Sequence, residues 1–184
     1  DVVLITAGSS GVGVAAIQIA RNLGCQQVLA TTTSTSKVDA LRALGATGVI
    51  DTNEPTWPST VSEQFGPVDV VIDQVGGGLF EGLLQTMAVQ GRYVSVGRND
   101  GAAASIDLDL LARQRLHLIG VTFRTRSPAE ALACSTKFAS DLLPAFKPGG
   151  LRPVLDRSFP LSELPAAHAY MTGNSQIGKI VITP

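Results

Sequence analysis

The chain of 184 residues is long enough for one domain with a substantial core, and its hydrophobic content of 45% excludes a disordered polymer. The formal net charge of −1 argues against a nucleic-acid partner, which favours a basic surface. No apolar run reaches the ~18 residues of a membrane span, and Asp1 leads into a strand-like run without the basic start of a signal peptide. Because Cys25 and Cys134 form no close-spaced motif, we expect reduced thiols in a cytoplasmic protein.

Short apolar runs alternate with amphipathic stretches over residues 1–150. The runs are rich in Val, Ile and Leu, which indicates strands buried on both faces. These strands are predicted at 2–6, 27–32, 48–50, 68–75, 92–97 and 116–123. Helical spacing predicts helices at 12–23, 37–44, 79–87 and 127–146. The alternation predicts a three-layer α/β fold, in which helices cover both sides of a doubly wound parallel sheet.

Residues 151–184 follow a different pattern and are predicted to form a C-terminal tail. The pattern indicates a strand at 153–159, a short helix at 165–172 and a last strand at 178–183. Pro153, Pro160 and Pro165 suit an edge strand and turns better than a central strand.

A glycine-rich turn, Gly8-Ser9-Ser10-Gly11-Val12-Gly13, lies where the first strand hands over to a helix. In a dinucleotide-binding fold of the Rossmann type, this turn brings the backbone and the helix N-terminus close to a pyrophosphate. Ser10 occupies the second glycine position of the usual G-x-G-x-x-G pattern, so the fingerprint is imperfect. Its position in the first strand–turn–helix unit favours nucleotide binding over a turn that needs glycine for backbone reasons alone.

The end of the second strand indicates which nucleotide is bound. NAD-dependent folds carry an acidic residue there for the ribose 2′-hydroxyl. Here hydroxyl residues fill positions 31–36, Lys37 follows, and Asp39 is the next acid. A lysine and hydroxyls attract a 2′-phosphate, so the pattern favours NADP. We also expect Ser34 or Thr35 to cap the next helix.

Two enzyme families use a turn of this kind. The segment "TAGSSGVG" resembles the T-G-x-x-x-G-x-G of short-chain dehydrogenases, whose chemistry needs a Tyr-x-x-x-Lys pair. Tyr93 is followed four residues later by Gly97, and Tyr170 by Asn174, so neither tyrosine has its lysine. The sequence therefore argues against this family.

The other family matches segments along essentially the whole chain. These segments are "AGSSGVGVAAIQIAR", "LGATGVID", "VDVVIDQVGG", "GRYVSVG" and "LRPVLDRSFPLSELPAAHAYM" followed by "IGKIVI". The chain is identified by them as a member of the zinc-free medium-chain dehydrogenases/reductases and resembles the nucleotide-binding domain of zeta-crystallin-like quinone oxidoreductases. The resemblance implies that the glycine turn holds the pyrophosphate of NADPH.

The resemblance also implies a cofactor site spread over the carboxyl ends of the strands and the tail. The positions that match the family's cofactor contacts are Ser10, Gly11, Val12, Ser34, Lys37, Val75, Gly76, Gly97, Phe123, Arg124, Asn174 and Lys179. Among them, Lys37 and Ser34 match positions for the 2′-phosphate. Thr52 stands where many members have a tyrosine at the adenosine phosphate end, and we expect this departure to weaken NADP affinity without reversing the preference.

No catalytic residue and no metal site are predicted. His117 and His168 lie on a predicted strand and a short helix, far in sequence from both cysteines, and are interpreted as structural or surface residues. Asp73 ends a strand at the predicted switch point, where we expect it to bond neighbouring backbone groups rather than to catalyse. Arg124 could bind phosphate or solvate a turn, and Phe123 could face the cleft or the core.

Members of this family begin with a GroES-like barrel that supplies part of the quinone pocket. The chain starts at the first nucleotide-binding strand, so we expect this domain to be absent through excision or natural truncation. The strand at 153–159 would then lie loose or pack elsewhere. Three functions stay open: NADPH-dependent reduction of a quinone-like small molecule by a longer enzyme, an NADPH-binding sensor module without turnover, and reduction of an enoyl or alkenal substrate.

The run "LHLIGVTF" at 116–123 ends the predicted sheet. A bare apolar edge strand invites pairing with another chain. The resemblance implies a homodimer through this edge, in which one sheet continues across two subunits.

Overall fold

Six parallel strands form the central sheet of the protein. The computed structural model describes the backbone of residues 1–184 and the side chains of residues 1–147 and 150–184. The strands are β1 (Val2–Ile5), β2 (Gln27–Thr32), β3 (Gly48–Asp51), β4 (Val68–Asp73), β5 (Met87–Ser95) and β6 (His117–Gly120). Their order is β3-β2-β1-β4-β5-β6, which is the doubly wound order of a dinucleotide-binding sheet. The predicted fold class is therefore confirmed.

Helices cover both faces of this sheet. They are α1 (Gly11–Asn22), α2 (Val38–Ala43), α3 (Trp57–Phe65), α4 (Phe80–Gln85), α5 (Leu108–Gln114) and α6 (Pro128–Leu142). Alternate residues of β1 enter two separate cores, because successive strand side chains point to opposite faces. Leu4 packs in the core that contains Leu83, whereas Ile5 packs in the core that contains Ile17. No helix in the described part of the chain is long and apolar enough to cross a bilayer.

Several predicted boundaries are wrong, and the helices α3 and α5 were not predicted. β5 begins at Met87 rather than at residue 92, because Val68 already pairs with Met87 before the register shifts. β6 ends at Gly120 rather than at residue 123. The helix predicted to reach residue 146 ends at Leu142, where a 3-10 turn containing Pro144 takes over, since proline has no amide proton to continue the helix.

The tail forms β7 (Leu155–Pro160), α7 (Leu164–Thr172) and β8 (Lys179–Thr183). β7 and β8 pair in parallel as a separate two-stranded sheet, so the strand predicted at 153–159 does not lie loose. Two bonds join the tail to α1: Gln18 Nε2 donates to the Arg152 carbonyl and Arg152 N donates to Gln18 Oε1, each at 3.1 Å. A third, from Gly178 N to the Ser9 carbonyl at 2.8 Å, places the end of the tail beside the glycine turn.

Candidate functional site

A cleft of about 410 Å³, here called the larger cleft, opens at the carboxyl ends of β1 to β4. It spans the switch point between β1 and β4, where open α/β sheets bind ligands. Residues from the glycine turn, the β2 end, the β3 end, the loops after β4 and β5, and the tail share in lining it. They are Ala7, Ser9, Ser10, Thr31, Thr32, Thr33, Thr52, Val75, Gly78, Leu79, Asp100, Asn174 and Gln176.

The glycine turn brings α1 against the end of β1. A Cβ on Gly13 would lie 2.3 Å from the Ala7 carbonyl oxygen, so only glycine fits at this position. Ser10 caps α1, since its Oγ accepts from Gly13 N at 2.9 Å and donates to Gln74 Oε1 at 2.9 Å. This double role explains why a serine replaces the second glycine of the usual fingerprint. The first turn of α1 has no acidic residue, so the positive end of the helix dipole faces the cleft uncompensated.

Lys37 is a buried cation that bonds two residues of the larger cleft. Its side chain is 3% exposed, and its Nζ donates to Ser9 Oγ at 3.2 Å and to Asn174 Oδ1 at 2.9 Å. Within the described side chains it has no carboxylate within ion-pair distance. Burial lowers the pKa of Lys37, and the charge of Asp156 partly opposes this shift. The lysine therefore joins three segments while its charge stays unneutralised by direct contact.

The residues around Lys37 are fixed by short-range hydrogen bonds. Asn174 Nδ2 donates to Thr33 Oγ1 at 3.2 Å, which ties the tail to the end of β2. The prediction that Ser34 or Thr35 caps the next helix is wrong, because neither side chain makes a capping bond and Ser34 Oγ instead bonds Ser36 Oγ at 2.8 Å. The Thr32 side chain stabilises this turn instead, since its Oγ1 accepts from Ser34 N at 3.1 Å.

Asp73 holds the switch point together. This fully buried carboxylate accepts hydrogen bonds from Thr6 Oγ1 at 2.7 Å, from Val75 N at 2.9 Å and from Gly76 N at 3.0 Å. It also accepts from the Tyr93 hydroxyl. Burial and this bond raise the pKa of Tyr93, so the phenol stays protonated. The expected structural role of Asp73 is confirmed.

A second, smaller cleft of about 320 Å³ lies on the β4–β6 side of the switch point. Gly76 lines it, and Gly97 lies between the lining residues Ser95 and Arg98. A Cβ on Gly97 would be 2.3 Å from the Gln74 carbonyl oxygen, so the loop after β5 lies against the end of β4. The remaining wall is mostly apolar. It is formed by Gly77, Phe80, Tyr93, Ser95, Arg98, Gly101, Ala102, Ala103, Ala104, Ile106, Leu118, Ile119 and Gly120.

Four of the predicted cofactor positions, Ser10, Thr52, Val75 and Asn174, line the larger cleft, and Gly76 lines the smaller one. Lys37 bonds two residues of the larger cleft, Val12 is exposed in the first turn of α1, and the Lys179 side chain lies beside Gly11. Phe123 and Arg124 are exposed beyond the end of β6, in a segment, 121–127, of which no residue lines either cleft.

The alternative that Phe123 is a core residue is wrong, because the residue is 61% exposed. The Arg126 guanidinium lies over that ring, 5.2 Å from its centroid. Among the described side chains, no group of three or more His, Cys, Asp or Glu residues could hold a metal ion.

Three residues that line the larger cleft or bond its lining residues were not predicted from the sequence. Gln74 accepts the Ser10 hydroxyl, and Asp100 Oδ2 accepts from Gly78 N at 2.8 Å. Gln176 lines the cleft from the tail. The position of Gln176, two residues after Asn174, was an available signal, whereas nothing in the sequence around Asp100 indicates that its loop reaches the end of β4.

Comparison with known proteins gives one family and several relatives. Residues 11–138 match the zinc-binding dehydrogenase family. The chain is 32% identical, over 98% of its length, to the Spectinabilin polyketide synthase system protein NorB of Streptomyces orinoci, of which it covers 8%. It is also 32% identical, over its whole length, to the 2-haloacrylate reductase of a Burkholderia species, of which it covers 56%.

Among solved structures, the quinone oxidoreductase of Thermus thermophilus, determined also in complex with NADPH, superposes with a TM-score of 0.83 at 28% identity. The match covers 99% of this chain and 57% of that one, so the chain spans little more than half of both this protein and the haloacrylate reductase. The family match extends over more than half of the sequence. The chain thus belongs to the zinc-binding dehydrogenase family, and it comprises the nucleotide-binding domain of a medium-chain dehydrogenase/reductase.

Proposed function

We propose that the chain binds NADPH, with the adenosine end in the larger cleft and the nicotinamide end toward the smaller cleft. The observation that carries this proposal is Lys37, a buried ammonium group held at the larger cleft by Ser9 and Asn174. A buried charge without a direct counter-ion is costly, and a phosphate placed against it removes that cost. An adenosine 2′-phosphate supplies such an anion, whereas the 2′-hydroxyl of NADH does not.

The end of β2 supports the same preference. Thr31, Thr32 and Thr33 line the cleft where an NAD-dependent fold carries an acidic residue. Hydroxyl groups donate to phosphate oxygens without repelling them, and Ser34 stands at the start of the turn that carries Lys37. We assign the 2′-phosphate to Lys37 and Ser34, and we place Thr52 beside the adenosine.

The pyrophosphate is assigned to the start of α1, at Ser10, Gly11 and Val12. Free amide groups and the helix dipole favour an anion there. The Lys179 side chain lies beside Gly11 and adds a positive charge at the same place. Since the first turn of α1 carries no acidic residue, nothing in it opposes this assignment.

The nicotinamide end is assigned to Val75, Gly76 and Gly97. Gly76 has a φ of 69°, a conformation that glycine adopts without strain and that lets the chain turn between the two clefts. We leave Phe123 and Arg124 out of the proposed site because no residue of the segment 121–127 that carries them lines either cleft. The bound cofactor supplies a hydride, while this chain orients it and excludes water from its adenosine end.

For the longer enzyme we propose reduction of a quinone. The similarity to a quinone oxidoreductase supports this acceptor, whereas the equally extensive similarity to a 2-haloacrylate reductase favours a conjugated alkene as a second candidate. Both acceptors are conjugated carbonyl compounds. The test is NADPH oxidation by this chain with a benzoquinone and, separately, with an acrylate. Turnover with one acceptor assigns the class, and NADPH binding without turnover of either supports a cofactor-binding module.

The experiment that tests NADPH binding is calorimetric titration of the chain with NADPH and with NADH. We expect tighter binding of NADPH in the wild type. Lys37→Ala removes a charged hydrogen-bond donor, and we expect about 10- to 100-fold weaker NADPH binding with no loss for NADH. Lys137→Ala is the matched control, since that lysine is paired with Asp141 on an exposed helix.

Two results would overturn the proposal. The first is a wild-type preference for NADH, which would contradict the assignment of Lys37 and Ser34 to a phosphate. The second is failure of the wild type to bind either cofactor while the chain remains folded by circular dichroism.

We further propose a cytoplasmic homodimer through β6. This strand is the edge of the sheet, and Leu118 and Ile119 are 43% and 42% exposed. Pairing of two β6 strands would bond their free backbone groups and cover these side chains. Light scattering at high micromolar concentration tests the dimer, and a monomeric mass would contradict it.

A further inference from the structure

Gln176 presents an unexplained polar group at the larger cleft. The residue lines the cleft from the tail, and its side-chain Oε1 is buried without a hydrogen-bond partner among the described residues. Buried amide oxygens are almost always bonded, so an orphaned one requires a reason. We propose that Gln176 is a cofactor-binding residue whose side-chain amide bonds the 3′-hydroxyl of the adenosine ribose, an inference that rests on the proposed NADPH binding.

The backbone around Gln176 is fixed on its carboxyl side. Ile177 N donates to Asp156 Oδ1 at 2.9 Å, and the other oxygen of that carboxylate accepts from the Tyr170 hydroxyl at 2.8 Å. Gly178 N donates to the Ser9 carbonyl at 2.8 Å. The segment therefore cannot carry Gln176 away from the cleft without breaking these bonds.

The terminal amide of Gln176 can turn while the backbone stays in place. Its Oε1 makes no hydrogen bond, so rotation about the last side-chain torsion breaks none at that atom. This torsion has a broad energy profile, which makes the rotation inexpensive. A turn of the amide can present Oε1 or Nε2 to the cleft that the residue lines, where a ligand group can bond it.

The chemistry of the amide selects a hydroxyl as its partner. A phosphate oxygen only accepts, so it would leave Oε1 unsatisfied, whereas a hydroxyl both donates and accepts and satisfies the amide in either orientation. Gln176 follows Asn174 by two residues and lines the same cleft as Asn174 and Thr33, and Asn174 accepts from the Lys37 ammonium that we assign to the 2′-phosphate. On this proposal, the Gln176 amide faces the ribose that bears that phosphate. The 3′-hydroxyl is the neighbouring group, and NADPH and NADH both carry it.

The test is Gln176→Met, which keeps the length of the side chain and removes its polar atoms. We expect NADPH and NADH to bind about 3- to 10-fold more weakly and by the same factor, because both lose one neutral hydrogen bond. Lys37→Ala, in contrast, weakens NADPH alone. The melting temperature of the free chain should not fall, since the variant removes a buried acceptor that has no partner. Gln64→Met, at an exposed position of α3, is the matched control.

A cofactor analogue identifies the bonded group. We expect the 3′-deoxyadenosine analogue of NADH to bind the wild type as weakly as NADH binds Gln176→Met, and to bind the variant with no further loss. If Gln176→Met weakens the analogue as much as it weakens NADH, the hydroxyl assignment is wrong. If wild type and Gln176→Met bind NADPH and NADH equally well, Gln176 is no cofactor contact although the proposed function stands. If the wild type binds neither cofactor, the proposed function itself fails.

Discussion

The larger cleft spans the switch point, the smaller cleft lies on its β4–β6 side, and the two differ in the groups that line them. Both clefts have mostly apolar walls, but hydrogen bonds fix Lys37, Asn174 and Ser10 at or beside the larger cleft. The smaller cleft is lined by glycines, alanines and apolar side chains such as Phe80, together with the polar residues Ser95 and Arg98. Polar groups that are held in place discriminate between ligands by charge and hydrogen bonding, whereas an apolar wall discriminates mainly by shape. The proposed nucleotide preference therefore rests on a fixed set of hydrogen-bonding groups, whereas the proposed acceptor does not.

The two clefts also depend on backbone approach in different ways. At the larger cleft, Gly13 lets α1 start against β1, which places the helix N-terminus at the proposed pyrophosphate site. At the smaller cleft, Gly97 lets the loop after β5 lie against Gln74 at the end of β4. The contact at Gly13 positions the N-terminus of α1 at the larger cleft. The contact at Gly97 holds the loop after β5 against the end of β4, beside the smaller cleft.

The largest effect is expected when the close contact at the larger cleft is broken. Gly13→Ala places a methyl group 2.3 Å from the Ala7 carbonyl oxygen, so α1 must move away from β1. We expect the free energy of unfolding to fall by about 3 kcal/mol, at the upper end of usual overpacking costs. Binding of NADPH and of NADH should be lost together, because the helix N-terminus serves both. Urea unfolding and calorimetric titration measure the two effects.

Gly120→Ala is the control for this prediction. An added methyl group at that position meets no atom within 4 Å, so we expect an unchanged urea midpoint. Equal behaviour of the two variants would contradict the role given to Gly13.

A smaller effect is expected at the network that joins the two clefts. Tyr93→Phe removes one of the donors to the buried carboxylate of Asp73. We expect a loss of about 1–3 kcal/mol in the free energy of unfolding, the usual cost of leaving a buried group less satisfied. The ratio of NADPH to NADH affinity should not change, because Lys37 lies on the other side of the switch point. A shifted ratio would show that the clefts are coupled through Asp73.

Tyr170→Phe is the control for Tyr93→Phe, because it removes the same phenol hydroxyl from a different carboxylate. The Tyr170 hydroxyl donates to Asp156 at an exposed position. We expect a loss below about 1 kcal/mol, since water can replace an exposed donor.

The sequence predicted the sheet better than the helices. Apolar runs located all six strands of the main sheet, since each is a short segment buried on both sides. α3 was not predicted, although Trp57, Val61 and Phe65 recur at the four-residue spacing of a helix and pack in one core. The start of β5 at Met87 depends on pairing with Val68 across a register shift, which no local pattern indicates.

The candidate site, like the fold, was predicted only in part from the sequence. Ser10, Lys37 and Asn174 lie at the larger cleft or its rim, as the glycine turn and the family resemblance predicted. Phe123 does not, because β6 ends at Gly120 and the turn that follows leads the ring into solvent. Gln176 enters the site only through the hydrogen bonds that hold the tail against the glycine turn. Contacts between segments distant in sequence decide such positions, and a single sequence does not display them.

The smallest effect is a pH dependence that distinguishes the two cofactors. Burial lowers the pKa of Lys37 below its ordinary value of 10.5, so the ammonium loses its proton at a lower pH than an exposed lysine does. As the pH rises from neutral toward 10.5, we expect NADPH to bind progressively more weakly while NADH binding stays constant. Titration of both cofactors over this range, with Lys37→Ala as the variant that should lose the dependence, measures the effect.

The stability of the free chain should change in the opposite direction to NADPH affinity. Because the pKa of Lys37 is lower in the folded state than in the unfolded state, the unfolded chain binds more protons between those two values. The cost of the buried charge is fully present below the folded pKa and disappears as the pH rises toward 10.5, so the contribution of Lys37 to folding improves over that interval. NADPH binding favours the charged form and folding favours the neutral form. Wild-type stability that falls relative to Lys37→Ala over the same interval would contradict the assignment of a lowered pKa to Lys37.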